Sequence, residues 1–537
     1  MVRSGFERPA RARVARGVSL AVLLWSAACA PADPIAQRVE VAEEVAAVFD
    51  APEPWSPRTL GERDLADFLA AQPQYANDST ELAAFYARRG QQYAWLVEDA
   101  LSANAEAFVA LAGLGAGPID SLDFACASCV RDAELRLTAE FLRFARRDYG
   151  GHFDRDPREL GWFIPRAKKD YARLLDSLAA GTMDISAIEP VHPGYAPLRA
   201  RIGSLQRLVE QPWETLTLPR GVRKVVLGDT AALVPQLRAR LILLGDHPAL
   251  PTDSAAESVP RYDSVLVDAV RRFQQRHGLL DDGIVGAGVL RALNVTPAER
   301  LRTVLINMER LRWVPDHPAA TAIIVNIPEF RLHVLEEGKE VLAMPIVVGA
   351  AATRTVIFAD SVTSVVFSPT WTVPASITRK EILPALKRDP SYLARRQMEI
   401  IGGSATLPII RQRPGPQNAL GAVKFLFPNP YDIYMHDTPS RGLFAREQRA
   451  FSHGCIRLGN PKALATYLLR SDSTWTTERM ERAMAQRNEV AVRLRTPMPV
   501  YLVYFTAWVD AAGNLNFRDD VYGHDARLGA ELFTAPA

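Results

Sequence analysis

Apolar residues in the first part of the chain recur at helical spacing. From Ser56 to Trp213 this spacing is seen, for example, at Leu135 and Leu142, and short turns that contain Gly and Pro interrupt it. The pattern predicts a helical N-terminal domain, which we place at residues 56–218.

A compact unit of three short helices is predicted after the helical domain. In the first two helices apolar residues repeat along one face, and Gly245 is well placed to end the first of them. These repeats are Leu237, Leu241 and Leu244, followed by Leu266, Val270 and Phe273. The third helix runs from about Gly286 to Leu293. We therefore predict a three-helix domain at residues 219–298.

Beyond Ala320 the period of the apolar residues changes to two, which is typical of β-strands. The Glu337-Gly338-Lys339 segment supplies a hairpin turn. Strands are predicted on both sides of this turn and further along the chain, at Phe330–Val334, Val341–Val348, Thr363–Phe367, Val490–Leu494, Tyr501–Phe505 and Leu515–Phe517. The sequence thus predicts a β-rich domain over residues 299–537 and a multidomain α+β fold for the chain.

The alternating pattern breaks between residues 371 and 420. A helical stretch that contains proline covers residues 376–393, and a loop with two prolines covers residues 411–416. We interpret residues 375–420 as a helical insertion that covers part of the β-rich domain, and we call this segment the lid.

The N-terminus has the layout of a secretory signal peptide. Five arginines precede an apolar stretch from Gly17 to Ala28, and small residues surround Cys29. This apolar stretch is short for a membrane span. We predict a signal peptide at residues 1–30, a linker at residues 31–55 and export to the periplasm or cell envelope. Cleavage by a signal peptidase and lipid attachment at Cys29, which would anchor the protein to a membrane, both remain open.

Charge and cysteine content narrow the function classes. The 63 Lys and Arg residues against 61 Asp and Glu residues leave a net charge of +2 with no basic face, which argues against a nucleic-acid partner. Cys126 and Cys129 allow a disulfide, a redox motif or half of a metal site. Because no second C-x-x-C motif is present to complete a zinc site, we favour the disulfide.

The remaining thiol lies in a motif that suits nucleophilic catalysis. Cys455 follows Ser452-His453-Gly454, and Asn460-Pro461 further on is a good helix start. A helix N-terminus or an imidazolium nearby lowers the pKa of a thiol, so we expect a lowered pKa for Cys455. Spacing alone leaves both His436 and His453 open as the base, and we favour His436 because it lies on a separate segment.

The residues next to Cys455 have roles in the same hypothesis. Gly454 allows close backbone approach, and the amides of the Gly454-Cys455 turn are candidates for an oxyanion hole. The guanidinium of Arg457 is a candidate to engage a substrate carboxylate. A single cysteine is more often a packing residue, but the combination of two histidines, a glycine and an arginine with it favours catalysis.

The segment from His436 to Arg457, with Ser452-His453-Gly454-Cys455-Ile456 between them, closely resembles the signature of the L,D-transpeptidase catalytic domain. Further matches to the large multidomain subgroup of that family are Asn326-Ile327-Pro328, Trp371-Thr372-Val373-Pro374, the Arg411–Gly421 segment, Lys424-Phe425 and Asn429-Pro430-Tyr431. The three-helix unit, with its Asp282-Gly283-x-x-Gly286 turn, resembles the peptidoglycan-binding-like domain.

The resemblance implies a mechanism in which Cys455 attacks a peptidoglycan tetrapeptide stem, releases D-alanine and forms a thioester. The side-chain amine of a neighbouring stem then resolves the thioester to a 3-3 crosslink in cell wall biogenesis. The resemblance also implies acylation by carbapenems, and it implies neither a metal nor an organic cofactor. By the same resemblance His436 is the base, Asp437 orients it, and His453, Gly454 and Tyr434 border the oxyanion site. Arg457, Ser452 and Trp371 are implied to contact the substrate.

Other outcomes of the same chemistry remain open from the sequence. Water as acceptor would make the enzyme an L,D-carboxypeptidase, and an amine of another protein would attach that protein to the wall. A wall-binding scaffold without activity and a cysteine protease for ordinary L-peptides are the remaining hypotheses. The intact His436 and Cys455 argue against the scaffold, and the surrounding motif argues against the protease.

Overall fold

The computed structural model describes residues 56–97, 99–114, 119, 122–148, 150–153, 155–166, 170–179, 192–249, 260–315 and 319–533. The predicted signal peptide, the predicted linker and Cys29 lie outside these residues. No helix within the described ranges is both long enough and apolar enough to cross a membrane.

The N-terminal region is helical, as predicted. Its helices are α1 (Asp64–Ala71), α2 (Ser79–Arg88), α3 (Ala103–Ala112), α4 (Ala127–Asp148) and α5 (Tyr171–Ala179), and a 3-10 turn covers Pro73–Asp78. A short hairpin that the sequence did not predict, β1 (Leu96–Val97) with β2 (Ala100–Leu101), packs against α4. The buried Glu134 carboxylate fixes the segment just before this hairpin by accepting the N–H groups of Ala94 (2.6 Å) and Trp95 (3.0 Å). Cys126 and Cys129 form a disulfide at the start of α4, which confirms the favoured alternative.

The segment that we predicted as one helical domain contributes to two separate hydrophobic cores. A 3-10 turn at Pro157–Leu160 and helices α6 (Tyr195–Arg199) and α7 (Ile202–Val209) lie against the C-terminal domain. Trp162 forms an isolated bridge with Ile357, and the ring of Trp162 contacts that of Trp313 at a centroid distance of 5.6 Å. Six buried side chains therefore share the core of the β-rich domain, namely Phe153, Trp162, Ile164, Tyr195, Leu198 and Leu205. Leu175 and Leu178 of α5, between them in the sequence, pack into the core of α4 instead.

The three predicted helices of the small bundle are present as α8 (Leu233–Leu243), α9 (Ser264–Arg276) and α10 (Ala287–Asn294). They surround a separate apolar core. The Asp263 carboxylate caps α9 by accepting the N–H of Leu266 at 2.9 Å. Helix α11 (Pro297–Leu311) then leads into the β-rich domain, and its first turn has a capping box between Thr296 and Glu299.

The C-terminal domain is built on one closed, mixed sheet. Its strands are β3 (Thr321–Asn326), β4 (Arg331–Glu336), β5 (Lys339–Gly349), β6 (Phe358–Phe367), β10 (Val423–Leu426), β11 (Met435–His436), β12 (Ala450–Ser452), β13 (Ile456–Leu458) and β14 (Val490–Val503). Because β5 pairs with both β4 and β13, the pairings return on themselves and form a barrel, to which β12 adds along β5. The two strands predicted at Val490–Leu494 and Tyr501–Phe505 are one strand, β14, with an irregularity between Arg493 and Met498.

The lid is only partly helical, and the prediction of a helical insertion was incomplete. Helix α12 (Ala375–Ile377), a π-helical turn (Thr378–Ile382), α13 (Leu383–Arg388) and α14 (Tyr392–Arg395) are followed by β8 (Met398–Gly403) and β9 (Pro408–Gln412). These strands form a three-stranded sheet with β7 (Trp371–Thr372). The lid has its own small core of Val373, Ile377, Ile382 and Ile410.

The remaining elements surround the barrel. They are a 3-10 turn (Arg441–Ala445), α15 (Pro461–Leu469), α16 (Thr477–Ala485), the hairpin of β15 (Ala507–Val509) and β16 (Leu515–Phe517), and α17 (His524–Phe533). The predicted helix start at Asn460-Pro461 is confirmed, since the Asn460 side chain accepts the N–H of Ala463 at 3.2 Å.

Candidate active site

Two neighbouring parallel strands bring the predicted catalytic residues together. In the register of β11 and β13, Met435 lies opposite Ile456 and His436 lies opposite Arg457. Cys455 immediately precedes β13 and therefore lies beside Tyr434, whose carbonyl accepts the N–H of Ile456 at 3.0 Å. The sheet register, rather than the distance along the chain, thus sets the geometry of the site.

The Cys455 thiol is partly exposed and protonated in this arrangement. Its Sγ donates to the carbonyl of Asp432 at 3.5 Å. Burial raises the pKa of the thiol above the ordinary cysteine value, although hydrogen bonds from Tyr434 and the charge of Arg457 act in the opposite direction. The predicted lowering of the thiol pKa by a helix N-terminus was wrong, because β13 separates the cysteine from α15.

His436 is a buried, neutral imidazole. Its Nδ1 contacts the backbone carbonyl of Asp437, so a proton on Nδ1 leaves Nε2 as the basic nitrogen. Burial, followed by the charge of Arg457, lowers the pKa of His436 to about 3, while backbone contacts with Asp437 and Leu420 oppose this shift. The ring is therefore neutral at physiological pH and can accept a proton.

Asp437 is held so that its carbonyl faces His436. Its carboxylate accepts the N–H groups of Ala422 (2.8 Å) and Thr438 (2.6 Å) and pairs with the guanidinium of Arg441. Gly421 has a φ of 62°, and a Cβ there would overlap the Asp437 carboxyl group. Glycine is therefore required beside Asp437 both by its backbone conformation and by space.

Tyr434 contacts both predicted catalytic residues. Its ring lies 5.7 Å from that of His436, and its phenol hydrogen-bonds the Cys455 thiol and the Trp371 indole. Burial and the adjacent thiol raise the pKa of the phenol, so it stays protonated. Among the contacts of the described residues none joins Cys455 directly to His436, and Tyr434 is the residue that touches both.

Hydrogen bonds within the Ser452–Cys455 turn decide which backbone amides are available. The Ser452 hydroxyl donates to the carbonyl of Cys455 (2.6 Å) and accepts the N–H of Gly454 (3.1 Å). The N–H of Cys455 has no acceptor among the described residues, so it is the amide of this turn that suits an oxyanion. Ser452 is buried, which does not fit the predicted substrate contact. Gly454 has a φ of 119°, which favours glycine at the turn.

The lid places a carboxylate over the site. Glu381 lies in the π-helical turn, and its Oε1 is 2.6 Å from Nε2 of the exposed His453. Burial lowers the pKa of Arg457, while Cys455 and Glu381 act to raise it. The Nε of Arg457 is buried and has no hydrogen-bond partner among the described residues. His453 and Arg457 thus flank Cys455 on the side that faces the lid.

Sequence reasoning missed two residues of this site. Glu381 lies among several charged lid residues that no local pattern distinguishes. Asp432 presents its carbonyl to the thiol from a left-handed conformation with a φ of 54°. The turn motif Asn429-Pro430 could have indicated an unusual backbone here, since the Asn429 side chain accepts the N–H groups of Tyr431 and Ile433.

Comparison with known families matches three segments of the chain. Residues 320–480 match the family described as L,D-transpeptidase catalytic domain, and residues 230–293 match a "Putative peptidoglycan binding domain". Residues 80–202 match a family described as Scaffold domain.

Two curated relatives share parts of the sequence. A protein of Haemophilus influenzae named "Putative L,D-transpeptidase" is 34% identical over 239 residues, which cover 42% of this chain and 48% of the relative. The N-acetylmuramoyl-L-alanine amidase CwlM of Mycobacterium tuberculosis is 45% identical over 69 residues, which cover 12% of this chain and 17% of the amidase. The match thus spans about half the length of the first relative and less of the second.

Solved structures of L,D-transpeptidases align at low similarity. The enzyme from Xylanimonas cellulosilytica is 16% identical with a TM-score of 0.19, and the alignment covers 53% of this chain and 100% of that one. The enzyme from Stackebrandtia nassauensis is 14% identical with a TM-score of 0.23, covering 52% of this chain and 94% of that one.

Proposed function

We propose that the protein crosslinks peptidoglycan stem peptides through a thioester on Cys455. The proposal is supported by the match of residues 320–480 to the L,D-transpeptidase catalytic domain family and of residues 230–293 to a putative peptidoglycan binding domain family. The donor is a tetrapeptide stem, the leaving group is its terminal D-alanine, and the acceptor is the side-chain amine of a neighbouring stem. The product is a 3-3 crosslink.

The observation that carries this proposal is the position of a protonated thiol immediately before β13 and a neutral imidazole on the adjacent parallel strand β11, with Tyr434 in contact with both. When a donor stem binds, the Cys455 proton passes to Nε2 of His436 and the sulfur attacks the carbonyl carbon of the third residue. The N–H of Cys455 is directed at the developing oxyanion. Collapse of the intermediate breaks the bond to D-alanine, whose nitrogen takes the proton from the imidazolium.

The second half of the reaction uses the same groups in the reverse order. The acceptor amine attacks the thioester carbonyl and gives a proton to His436. The sulfur then leaves as a thiolate and takes that proton back. No group of the enzyme is consumed, and one amide bond replaces another.

Residues around the thiol suit the orientation of the donor. The D-alanine carboxylate is negatively charged, and the Nε of Arg457 has no hydrogen-bond partner among the described residues. We propose that this guanidinium binds the carboxylate and that His453 and Trp371 border the same cleft. The Glu381 side chain must then move away from Arg457 when the donor binds.

The location of the reaction is also a proposal. The N-terminal arginines, the apolar stretch and the small residues around Cys29 favour export, and peptidoglycan lies outside the cytoplasm. We propose that the protein acts in the periplasm or cell envelope, either free or attached through a lipid on Cys29.

Intact-protein mass spectrometry tests the covalent step. The purified protein is incubated with a disaccharide tetrapeptide, and we expect an adduct that has lost D-alanine and that is absent from Cys455→Ala. A carbapenem should acylate the same thiol. His436→Gln should abolish both adducts, while the matched His453→Gln should retain them. An adduct on Cys455→Ala, or none on the folded wild type with either ligand, would contradict the proposal.

A further inference from the structure

A cavity of about 550 Å³ lies where three parts of the chain meet. Its walls come from helix α7, from helices α8 and α9 of the bundle, from Arg300 of helix α11, and from the hairpin of β15 and β16. The volume is in the range of small-ligand sites and is enough for a few amino-acid residues. The cavity shares no lining residue with the Cys455 site.

Arginines dominate the charged groups of this cavity. Arg201, Arg272, Arg276 and Arg300 line it, against the carboxylates of Asp246 and Asp510. Four positive and two negative side chains leave an excess of two positive charges. Ser204, Gln275 and Asn514 are exposed at the same walls and can hydrogen-bond a peptide.

Of these arginines, only Arg276 has a carboxylate partner among the described residues, namely Asp246. Arg201 donates to the carbonyl of Gly513, and Arg272 donates to the backbone carbonyl of Asp246 at 2.9 Å. Among the described residues neither of them has an ion pair. Both guanidinium groups are therefore held in place by neutral acceptors while their charges remain uncompensated.

Asp510 does not supply the missing negative charge, because neutral donors already surround its carboxylate. The backbone N–H groups of Ala512 and Asn514 and the side-chain amides of Asn514 and Asn516 all donate to it. These hydrogen bonds lower the pKa of Asp510, against an opposing effect of burial. The carboxylate stays ionised but faces its own turn.

Arg300 is the most deeply buried of the cations, with 3% of its surface exposed. Its guanidinium donates to Nε2 of His277 (2.5 Å) and to the carbonyl of Ala292 (2.6 Å), and its Nε has no partner within the described chain. Burial and the charge of Arg276 lower the pKa of Arg300 to about 9. A buried cation without an anion is unfavourable, so the cavity beside it suits a negatively charged ligand.

We propose that this cavity is a second peptidoglycan site, which binds the free carboxylates of a stem peptide between the bundle and the catalytic domain. Guanidinium groups recognise carboxylates through paired hydrogen bonds, and neutral amide and hydroxyl groups at the walls match a peptide backbone. This inference rests on the proposed function, because it takes the same polymer as ligand. The site would hold a second stem on the molecule while Cys455 acts on the donor.

The bundle is hydrogen-bonded to the catalytic domain next to this cavity. Arg276 donates to the carbonyl of Leu515 (3.2 Å), and Arg518 donates to the carbonyl of Arg276 (3.0 Å). The N–H of Leu280 donates to Glu447, in the loop that leads to β12 and Cys455 (2.9 Å). A ligand that bridges the cavity therefore contacts both domains that act on the wall.

Hydrogen–deuterium exchange on the full chain with Cys455→Ala can locate binding of a disaccharide tetrapeptide. We expect protection at residues 202–209 and 511–517, in addition to protection around Cys455. Protection around Cys455 alone would overturn the second site and leave the proposed function intact. Protection at the cavity without protection around Cys455 would support the second site and count against the proposed function.

Charge variants test whether carboxylates are recognised. In the Cys455→Ala protein, the pair Arg201→Gln with Arg272→Gln should weaken binding at the cavity by about tenfold or more, because charge-assisted hydrogen bonds are lost. The matched pair Arg220→Gln with Arg291→Gln changes two exposed arginines outside the cavity and should leave binding unchanged. Thermal unfolding of both pairs checks that they fold.

Ligand chemistry provides the second comparison. A tetrapeptide whose carboxylates are converted to carboxamides should lose the cavity protection and the sensitivity to the Arg201 and Arg272 changes. Equal protection by the amidated ligand would overturn carboxylate recognition. Protection of the same segments by glycerol phosphate but not by the tetrapeptide would assign the site to a phosphate-bearing polymer and overturn the proposal.

Discussion

At the scale of the residue, the reactivity of Cys455 is controlled by burial. Burial raises the thiol pKa, and the nearby imidazole is neutral, so no thiolate–imidazolium pair exists at rest. We expect the rate of iodoacetamide alkylation to rise with an apparent pKa above that of an ordinary cysteine. This apparent pKa is measured by following the alkylation with intact-protein mass spectrometry between pH 5 and pH 11, in a Cys29→Ala background. Full reactivity already at pH 6 would contradict this account.

Tyr434 provides a matched variant for that experiment. Its phenol and its backbone N–H lower the thiol pKa, although less than burial raises it. Tyr434→Phe removes only the phenol hydrogen bond and should move the apparent pKa of alkylation further upward. A downward shift would mean that the phenol does not stabilise the thiolate.

Gly421 helps to position the proposed base, His436, through its neighbour Asp437. A methyl group at this position would displace the side-chain carboxyl group of Asp437. The backbone carbonyl of the same residue holds Nδ1 of His436, so a shift of Asp437 would disturb the base. Gly421→Ala should therefore slow acylation and destabilise the domain by about 1–3 kcal/mol, since both strain and a clash are introduced. Gly442→Ala is the control, because a Cβ there meets no atom within 4 Å. Equal acylation rates and unfolding midpoints in the two variants would contradict this role.

At the scale of the element, the lid contacts the site through Glu381. Its carboxylate binds His453 and acts electrostatically on Arg457, which flanks the thiol. Glu381→Gln should loosen the lid and leave the Arg457 charge free to stabilise a thiolate, so alkylation of Cys455 at pH 8 should be faster. Lys380→Gln is the neighbouring control in the same turn. A slower reaction of Glu381→Gln would show that the carboxylate activates the thiol instead.

Elements with a strong local signal could be predicted from the sequence. The bundle helices have regular apolar spacing, and Asn460-Pro461 is a clear helix start. Strand β8 was missed because Ile400 and Ile401 are both exposed, so burial does not alternate along it. Burial does alternate along β9, but the exposed Ile409 stands next to the buried Ile410 and the buried Gln412 is polar, so the sequence shows no alternation of apolar residues there. Strand β14 was predicted as two strands because its central segment contains Pro497, which lies at the irregularity of the pairing.

In the candidate site, too, the features with a local sequence signal could be predicted and those that depend on packing could not. The motif predicted Cys455, His436 and Arg457, which the sheet register brings onto neighbouring strands. The effect of burial on the thiol pKa and the contact from Glu381 depend on packing between distant segments, which no local pattern encodes. Physical reasoning from the motif therefore pointed to Cys455, His436 and Arg457, but it missed Glu381 and Asp432 and misjudged the protonation of the thiol.

At the scale of the whole molecule, buried neutral histidines make stability depend on pH. The pKa of His436 is lowered to about 3 and that of His524 to about 4, chiefly by burial, from an ordinary value of 6.5. Above pH 6.5 these rings are neutral in both the folded and the unfolded chain, so their titration does not reduce the free energy of unfolding. Below pH 6.5 the unfolded chain binds protons that the folded chain excludes, and stability falls.

The predicted loss is up to about 1.4 kcal/mol per pH unit for each such histidine. Urea unfolding of the catalytic domain at pH 7.5, 6.5 and 5.5 measures it. His524→Gln should remove one of these contributions, so its stability should fall less steeply than that of the wild type between pH 6.5 and pH 5.5. Parallel curves for the two proteins would contradict the assignment to His524.

The central claim is that Cys455 transfers a donor stem to an acceptor amine, and its products test it most directly. The full chain is incubated with a disaccharide tetrapeptide, and the products are separated and identified by liquid chromatography with mass spectrometry. We expect free D-alanine and a 3-3 crosslinked dimer from the wild type and neither from Cys455→Ala. Dimer formation by the folded Cys455→Ala variant, or release of D-alanine with only tripeptide and no dimer from the wild type, would contradict the account.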